Sequence, residues 1–258
     1  MDVDEKIQFV LGTVAPMALH THPYVASVVG VDADGGAGRH VGSALRIVVG
    51  GRRAIVTAGH VLAQARAHFA RIAVSATRGA PPFEVTGTDP VVDEEHDLAL
   101  LPLDAAYPSE GISFWPEERF DPEPSRLATD FLFVHGFPAV RSRFSGLANG
   151  LVNRSLPYGV MQREDDLPAD LAAFQFAMDF DPANLVGPDG QRVDWLDPHG
   201  LSGSPVWRIG ASGLAVDRWS PERALLVGVV TQWRPDEKLL VATRWPARSV
   251  GLDGRAPP

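Results

Sequence analysis

Apolar residues recur along this chain in short β-type runs rather than at helical spacing. Residues 23–31 (PYVASVVGV), 41–49 (VGSALRIVV), 52–58 (RRAIVTA), 130–136 (DFLFVHG) and 224–233 (ALLVGVVTQW) are rich in Val, Ile, Phe and Thr. The runs at 68–76, 82–88, 97–103, 172–180, 204–210 and 238–245 have the same character, and Gly, Pro or Asp bounds most of them. Such side chains suit a pleated surface. Regularly spaced short strands with turn residues between them predict a sandwich or barrel. Helical spacing is sparse: residues 59–71 (GHVLAQARAHFAR) predict one short helix, and others are expected within 4–11 and from 247 to 252.

The strands fall into two groups. Between them lies 105–128, with four prolines (108, 116, 122, 124) and five acidic residues. Proline fixes φ and removes a ladder donor, so this segment resists both sheet and helix. The predicted organisation is an extension at 1–22, a first unit at 23–104, a linker at 105–128, a second unit at 129–246 and a tail at 247–258. Within the first unit, RIVVGGRRAIVTAGH (Arg46–His60) reads as a hairpin, because Gly50-Gly51 supplies the positive φ angles of a tight turn between alternating strands.

Composition narrows the classes. The net charge is −9 and the basic residues are scattered, so neither a nucleic-acid face nor an anionic-membrane face is expected. No apolar run is long enough to span a membrane. There is no cysteine, which excludes disulfides, thiolate chemistry and Cys-ligated zinc. The first residues are acidic where a secretory signal needs positive charge, and Gly12, Thr13 and Pro16 interrupt their apolar run. The expectation is a cytoplasmic protein, with a secreted mature form left open.

Three motifs carry chemistry. TAGH (Thr57–His60) ends the second strand of the hairpin. DLALL sets Asp97 before an apolar run. GLSGSP (Gly200–Pro205) places Ser202 between glycines at −2 and +1, after a turn-rich loop (181–200) and before a strand beginning Pro-Val-Trp. Small residues there permit a tight turn that presents a hydroxyl beside converging N–H groups. The order His, Asp, Ser in these settings resembles the trypsin/chymotrypsin-like serine protease family. Ser204 and the lack of cysteine resemble its bacterial, cysteine-free members. The resemblance spans about residues 23 to 246 and includes VGSAL before the histidine strand and GVVT (Gly228–Thr231) after the serine.

The resemblance implies an all-β fold of two six-stranded antiparallel Greek-key barrels with the active site in the cleft between them. It implies a serine endopeptidase acting through an acyl-enzyme, with Ser202 as nucleophile, His60 as base and Asp97 orienting the imidazole. The N–H groups of Gly200 and Ser202 would form the oxyanion hole. Val229, Val230, Thr231 and Gln232 would pair with extended substrate, and Thr231 matches a position that contacts the buried Asp. Trypsin-like specificity needs an acid six residues before the serine. Leu196 stands there, with Asp197 adjacent, so a one-residue shift would restore an acid; His199 either contacts substrate or faces solvent. R-I-V-V-G-G looks like an activation cleavage site. However, Leu201 replaces the Asp that receives the new N-terminus, so direct folding to a competent form is expected.

Other residues carry weaker readings. His20 and His22 are a poor metal pair, His96 alternates to the face opposite Asp97, and Asp93-Glu94-Glu95 reads as a solvated turn rather than a calcium site. No metal or cofactor is implied. The partner expected is a peptide or protein substrate, with a protein regulator as a further expectation. A non-catalytic peptide-binding module on the same fold is the rival class. A tightly specific processing or defence protease is a third reading.

Overall fold

The computed structural model describes residues 3–34, 38–75, 82–85, 89–104, 107, 112–122, 131–145, 150–185, 197–210 and 216–245. A helix, α1 (Val3–Thr21), precedes strands β1 (Val25–Val31), β2 (Arg39–Val49) and β3 (Arg52–Ala58). Helix α2 (Gly59–His68) follows, then β4 (Arg71–Val74), β5 (Phe83–Glu84), β6 (Val91–Asp93) and β7 (Leu98–Pro102). The second half holds β8 (Phe131–Gly136), β9 (Ser142–Ser145), β10 (Gly150–Asn153), β11 (Leu156–Met161), β12 (Gln175–Asp179), β13 (Pro205–Arg208), β14 (Leu225–Arg234) and β15 (Leu239–Arg244).

These strands form two antiparallel sheets and a ribbon. The first sheet has seven strands in the order β5-β4-β1-β2-β3-β7-β6, one more than expected. The second has six, in the order β11-β8-β13-β14-β15-β12, and β9 pairs with β10. A bridge between Gln162 and Met178 brings the end of β11 to β12, the two edges of the second sheet. Gly50 and Gly51 have φ of 56° and 73°, the positive angles expected of the β2–β3 turn.

The long buried runs have a simple cause: both faces of the central strands are covered. In β2, Ala44 joins a core with Val28, Ile55, Leu62 and Leu101 inside the first sheet. Its neighbours Leu45 and Ile47 join a second core between the sheets, with Trp115, Phe131, Phe133 and Trp207. In β8, Leu132 and Val134 turn the other way, into the core of the second sheet with Phe176, Met178 and Leu240. Period-two alternation therefore sorts side chains between a private core and a shared one.

The linker is part of that shared core. Trp115 is fully buried, bridges in parallel to Ile47 and lies under the Arg119 guanidinium, 4.4 Å from its ring centre. Phe120 bridges to Leu226. Arg46 is buried as well. Its guanidinium donates to Tyr107 Oη (3.0 Å) and to the carbonyls of Val25 (2.8 Å) and Ser75, so the bond after it lies in a core strand.

Helix α1 is the largest departure from expectation, since a helix was expected only within 4–11. Gly12 and Pro16 lie on its exposed face, where solvent can replace a missing backbone bond. Phe9, Val14 and Met17 are buried, with Phe9 stacked on Phe131 at 5.4 Å. Its packing against β8 and β11, not its helical propensity, holds it. Strand β11 was missed because Pro157 and Gly159 break its pattern; it is an edge strand, where proline is tolerated. The tail at 247–258 lies outside the described residues, and no described helix is long and apolar enough to cross a membrane.

Candidate active site

The β3–β7 ladder positions the first pair of groups. Ala58 lies opposite Leu98, so the residues just beyond the ladder meet. Asp97 adopts a left-handed φ of 52° and its carbonyl accepts from Gly59 N at 2.9 Å. Its carboxylate then takes two bonds from one residue. Oδ1 accepts from the His60 amide (2.8 Å) and Oδ2 from His60 Nδ1 (2.7 Å). The helix α2 has no side-chain cap of its own, so Asp97 supplies a partner to one of its orphan N–H groups from across the chain. Gly59 is small for a reason: a Cβ there would stand 3.0 Å from Asp97 Oδ1. With Nδ1–H given to the carboxylate, His60 Nε2 is left as an acceptor.

The loop 199–204 is fastened by the amides of Leu201, Gly203 and Ser204. Leu201 N donates to Pro198 O (2.9 Å), Gly203 N to Val230 O (2.7 Å) and Ser204 N to Leu201 O (2.8 Å). The amides of Gly200 and Ser202 have no protein acceptor among the described residues. Gly200 and Gly203 have φ of 93° and 87°, which favours glycine at both. Leu201 turns its side chain into the apolar core of the second sheet.

Ser202 and His60 line one cavity of about 370 Å³, together with Gln64 of α2 and the loop residues His199 and Gly200. Val230, Thr231 and Gln232 line it from β14, whereas Val229 faces the core between the sheets. The Thr231 hydroxyl lies 3.4 Å from Thr243 Oγ1 rather than bonding to Asp97, and Thr243 in turn donates to His96 O at 3.0 Å. His96 packs on Phe174 with ring centres 4.3 Å apart. Leu196 lies outside the described residues. Asp197 accepts from the His199 amide (3.0 Å) and from its ring, and does not line the cavity. Burial opposes ionisation of Asp197, but these bonds and the His199 charge outweigh it and hold its carboxyl below the usual range. His199 itself is exposed and lines the cavity mouth. His20 meets Arg119 (3.2 Å), and among the described residues no cluster of three or more side chains could hold a metal.

Sequence reasoning missed the residues that hold the loop from behind. Ser43 of β2 is fully buried. Its amide donates to Ser202 O (2.8 Å), its hydroxyl donates to Gly200 O (2.8 Å) and accepts from Phe137 N (2.8 Å). Its carbonyl accepts from Thr57 Oγ1 (2.7 Å). His40 stands directly behind Gly200, and its Nδ1 is 2.7 Å from Ser27 Oγ. Single serines within apolar runs, Ser27 of β1 and Ser43 of β2, were the available signal.

Two buried histidines make stability depend on pH. Burial lowers His40 to about 4, opposed by the Gly200 and Phe137 carbonyls. Burial, with the nearby His22, lowers His135 to about 3. Thr21 Oγ1 donates to Met17 O (2.7 Å), so it accepts from His135 Nδ1 (2.7 Å), which fixes that neutral tautomer. Both rings gain protons near pH 6.5 only when the chain unfolds. Stability is thus intact above about pH 6.5 and falls below it, until the folded values are reached. At about pH 5 the two together remove about 4 kcal/mol. Urea unfolding at pH 7 and pH 5 checks this, and equal midpoints would contradict neutral burial.

The two sheets, their strand order and the cavity between them define the trypsin/chymotrypsin-like protease fold. The structure is similar to the Rv3671c protease of M. tuberculosis in its active form, with a TM-score of 0.51 and 16% identity over 90% of this chain and 81% of that one. It is also similar to the MamO protease domain of Magnetospirillum magneticum in its apo form, with a TM-score of 0.50 and 18% identity over 88% of this chain and 94% of that one. A scan against protein-family models and a search of curated proteins each found no match.

Proposed function

We propose that this protein is a serine endopeptidase that works through an acyl-enzyme. The observation that carries the reading is the doubly bonded Asp97–His60 pair on the wall of the cavity that Ser202 also lines. In this reading Ser202 Oγ attacks the peptide carbonyl while His60 Nε2 takes its proton. The carbonyl electrons move onto oxygen, which the unpartnered Gly200 and Ser202 amides receive. His60 then protonates the departing amine as the C–N bond breaks, leaving an ester on Ser202 that water hydrolyses by the same steps. Extended substrate lies along Val230–Gln232 of β14.

The enzyme folds directly into this state. The buried setting of Arg46 and the apolar packing of Leu201 both argue against activation by cleavage before Ile47. A fluorophosphonate probe tests the assignment. The folded protein is expected to gain one covalent label by intact mass, and Ser202→Ala to gain none. Absence of labelling in the folded wild type would favour the non-catalytic peptide-binding module.

A further inference from the structure

A short basic hairpin adjoins the cavity and plays no part in the chemistry above. The 3-10 helix Ala139–Arg141 leads into β9, and β10 returns to Arg154. Ala139 lines the cavity, and its amide donates to His199 O at 2.6 Å, which fastens the hairpin to the loop that carries Ser202. Asn153 pairs with Ser142, so the next step of the register sets Arg154 opposite Arg141, and the Arg154 amide donates to the Arg141 carbonyl at 3.1 Å.

Arg141 and Arg154 thus stand opposite each other just beyond the ends of β9 and β10, near enough for their like charges to repel. Arg143 follows two residues on, exposed. Among the described residues none of the three has an acidic partner. Some arginines elsewhere are paired, Arg71 with Glu84 (3.1 Å), Arg234 with Asp170 (2.7 Å) and Arg163 with Asp179, while the exposed Arg39 and Arg66, like these three, have no acidic partner among the described residues; what sets these three apart is their clustering beside the cavity. In a chain of net charge −9, carboxylates to pair these three were plentiful. Burial and the neighbouring Arg154 charge push the Arg141 guanidinium below its ordinary value, as expected of a cation that is partly desolvated and repelled.

We infer that Arg141 and Arg154, with Arg143 beside them, form a subsite that recognises an acidic side chain of the peptide substrate on the leaving-group side of the scissile bond. The inference rests on the endopeptidase reading and deepens it. The side follows from how the Ser202 loop is fastened. One flank is tied to β14 through Gly203 N and Val230 O, and the other to the hairpin through His199 O and Ala139 N. A substrate that runs along β14 and crosses Ser202 leaves over the hairpin. A carboxylate placed between the two guanidiniums accepts from both and removes their mutual repulsion.

Cleavage of a degenerate peptide library, read by mass spectrometry, tests the subsite. Wild type is expected to enrich Asp and Glu over Asn and Gln on the leaving-group side by about five- to tenfold, the scale of two partly exposed charge contacts. Arg141→Gln/Arg154→Gln is expected to bring that ratio to about one, whereas Arg71→Gln, which removes an equal charge from a distant pair, keeps it. No enrichment in wild type, enrichment that survives in the double variant, or an equal loss in Arg71→Gln would each overturn the subsite. Fluorophosphonate labelling separates this from failure of the enzyme reading. If the protein neither labels nor cleaves, retention of the same library on immobilised Ser202→Ala decides: acidic peptides held, and released by the double substitution, support the subsite, and no acidic preference overturns it. Arg154→Gln alone is also expected to raise the urea midpoint, because a like-charge contact is lost.

Discussion

On the proposed acyl-enzyme reading, Asp97→Asn is expected to lower kcat by about four orders of magnitude while the protein stays folded. The reason lies in the two bonds that the carboxylate accepts, one from the His60 amide and one from Nδ1. An asparagine oxygen can accept one of them. Its NH2 group then faces the other donor, and the clash is relieved when the imidazole moves its proton to Nε2. That tautomer cannot take a proton from Ser202. The helix α2 keeps its cap if the Asn oxygen faces the His60 amide, so stability is little affected. Turnover of an activated ester and of a peptide, with urea unfolding alongside, reads both quantities. A rate within about tenfold of wild type would remove Asp97 from the mechanism.

Gly203→Ala is expected to destabilise the protein by about 2–5 kcal/mol, the sum of a left-handed conformation and overpacking. A Cβ at this position would stand 1.9 Å from Ser43 O and 2.4 Å from Thr57 Oγ1. Neither neighbour can yield independently, since each is the hydrogen-bond partner of the other. Gly203 also ties the loop to the second sheet through Val230 O. The substitution therefore strains the seam where the two sheets meet, and fluorophosphonate labelling of Ser202 should fall with stability. Gly50→Ala is the comparison. It shares the positive φ but has nothing within 4 Å of its Cβ, so only the conformational cost of about 1–2 kcal/mol applies. If the two variants unfold at the same urea concentration, the close approach at Gly203 has no energetic weight.

Much of the strand content was legible from alternation alone. The hairpin β2–β3 was marked by Gly50-Gly51 between apolar runs, and helix α2 by its Ala, Leu and Arg spacing. TAGH, DLALL and GLSGSP drew attention to His60, Asp97 and Ser202, and the fold brings His60 and Ser202 to one cavity with Asp97 bonded to His60. What escaped notice has a common cause. Helix α1 is held by contacts with β8 and β11, distant in sequence, so local pattern alone predicted a helix only within 4–11. The support of the Ser202 loop by Ser43 and His40 crosses from one sheet to the other. The pairing of Asp197 with His199, which takes that acid off the cavity wall, depends on the turn at 197–200 and not on its distance from Ser202.

By itself, then, the order of residues determined the local elements: where the chain extends, where it turns, and which short stretches present polar atoms among glycines. These follow from steric limits on φ and ψ and from the burial of every second side chain, both of which act over a few neighbours. Only the tertiary structure decided which faces became private or shared cores, which amides of the 199–204 loop were left unpaired, and which charges on the β9–β10 hairpin were set against each other. The shared core and the support of the 199–204 loop depend on contacts between residues far apart in the chain, such as Ser43 with Gly200, and the free energy of such contacts exists only once the sheets have packed.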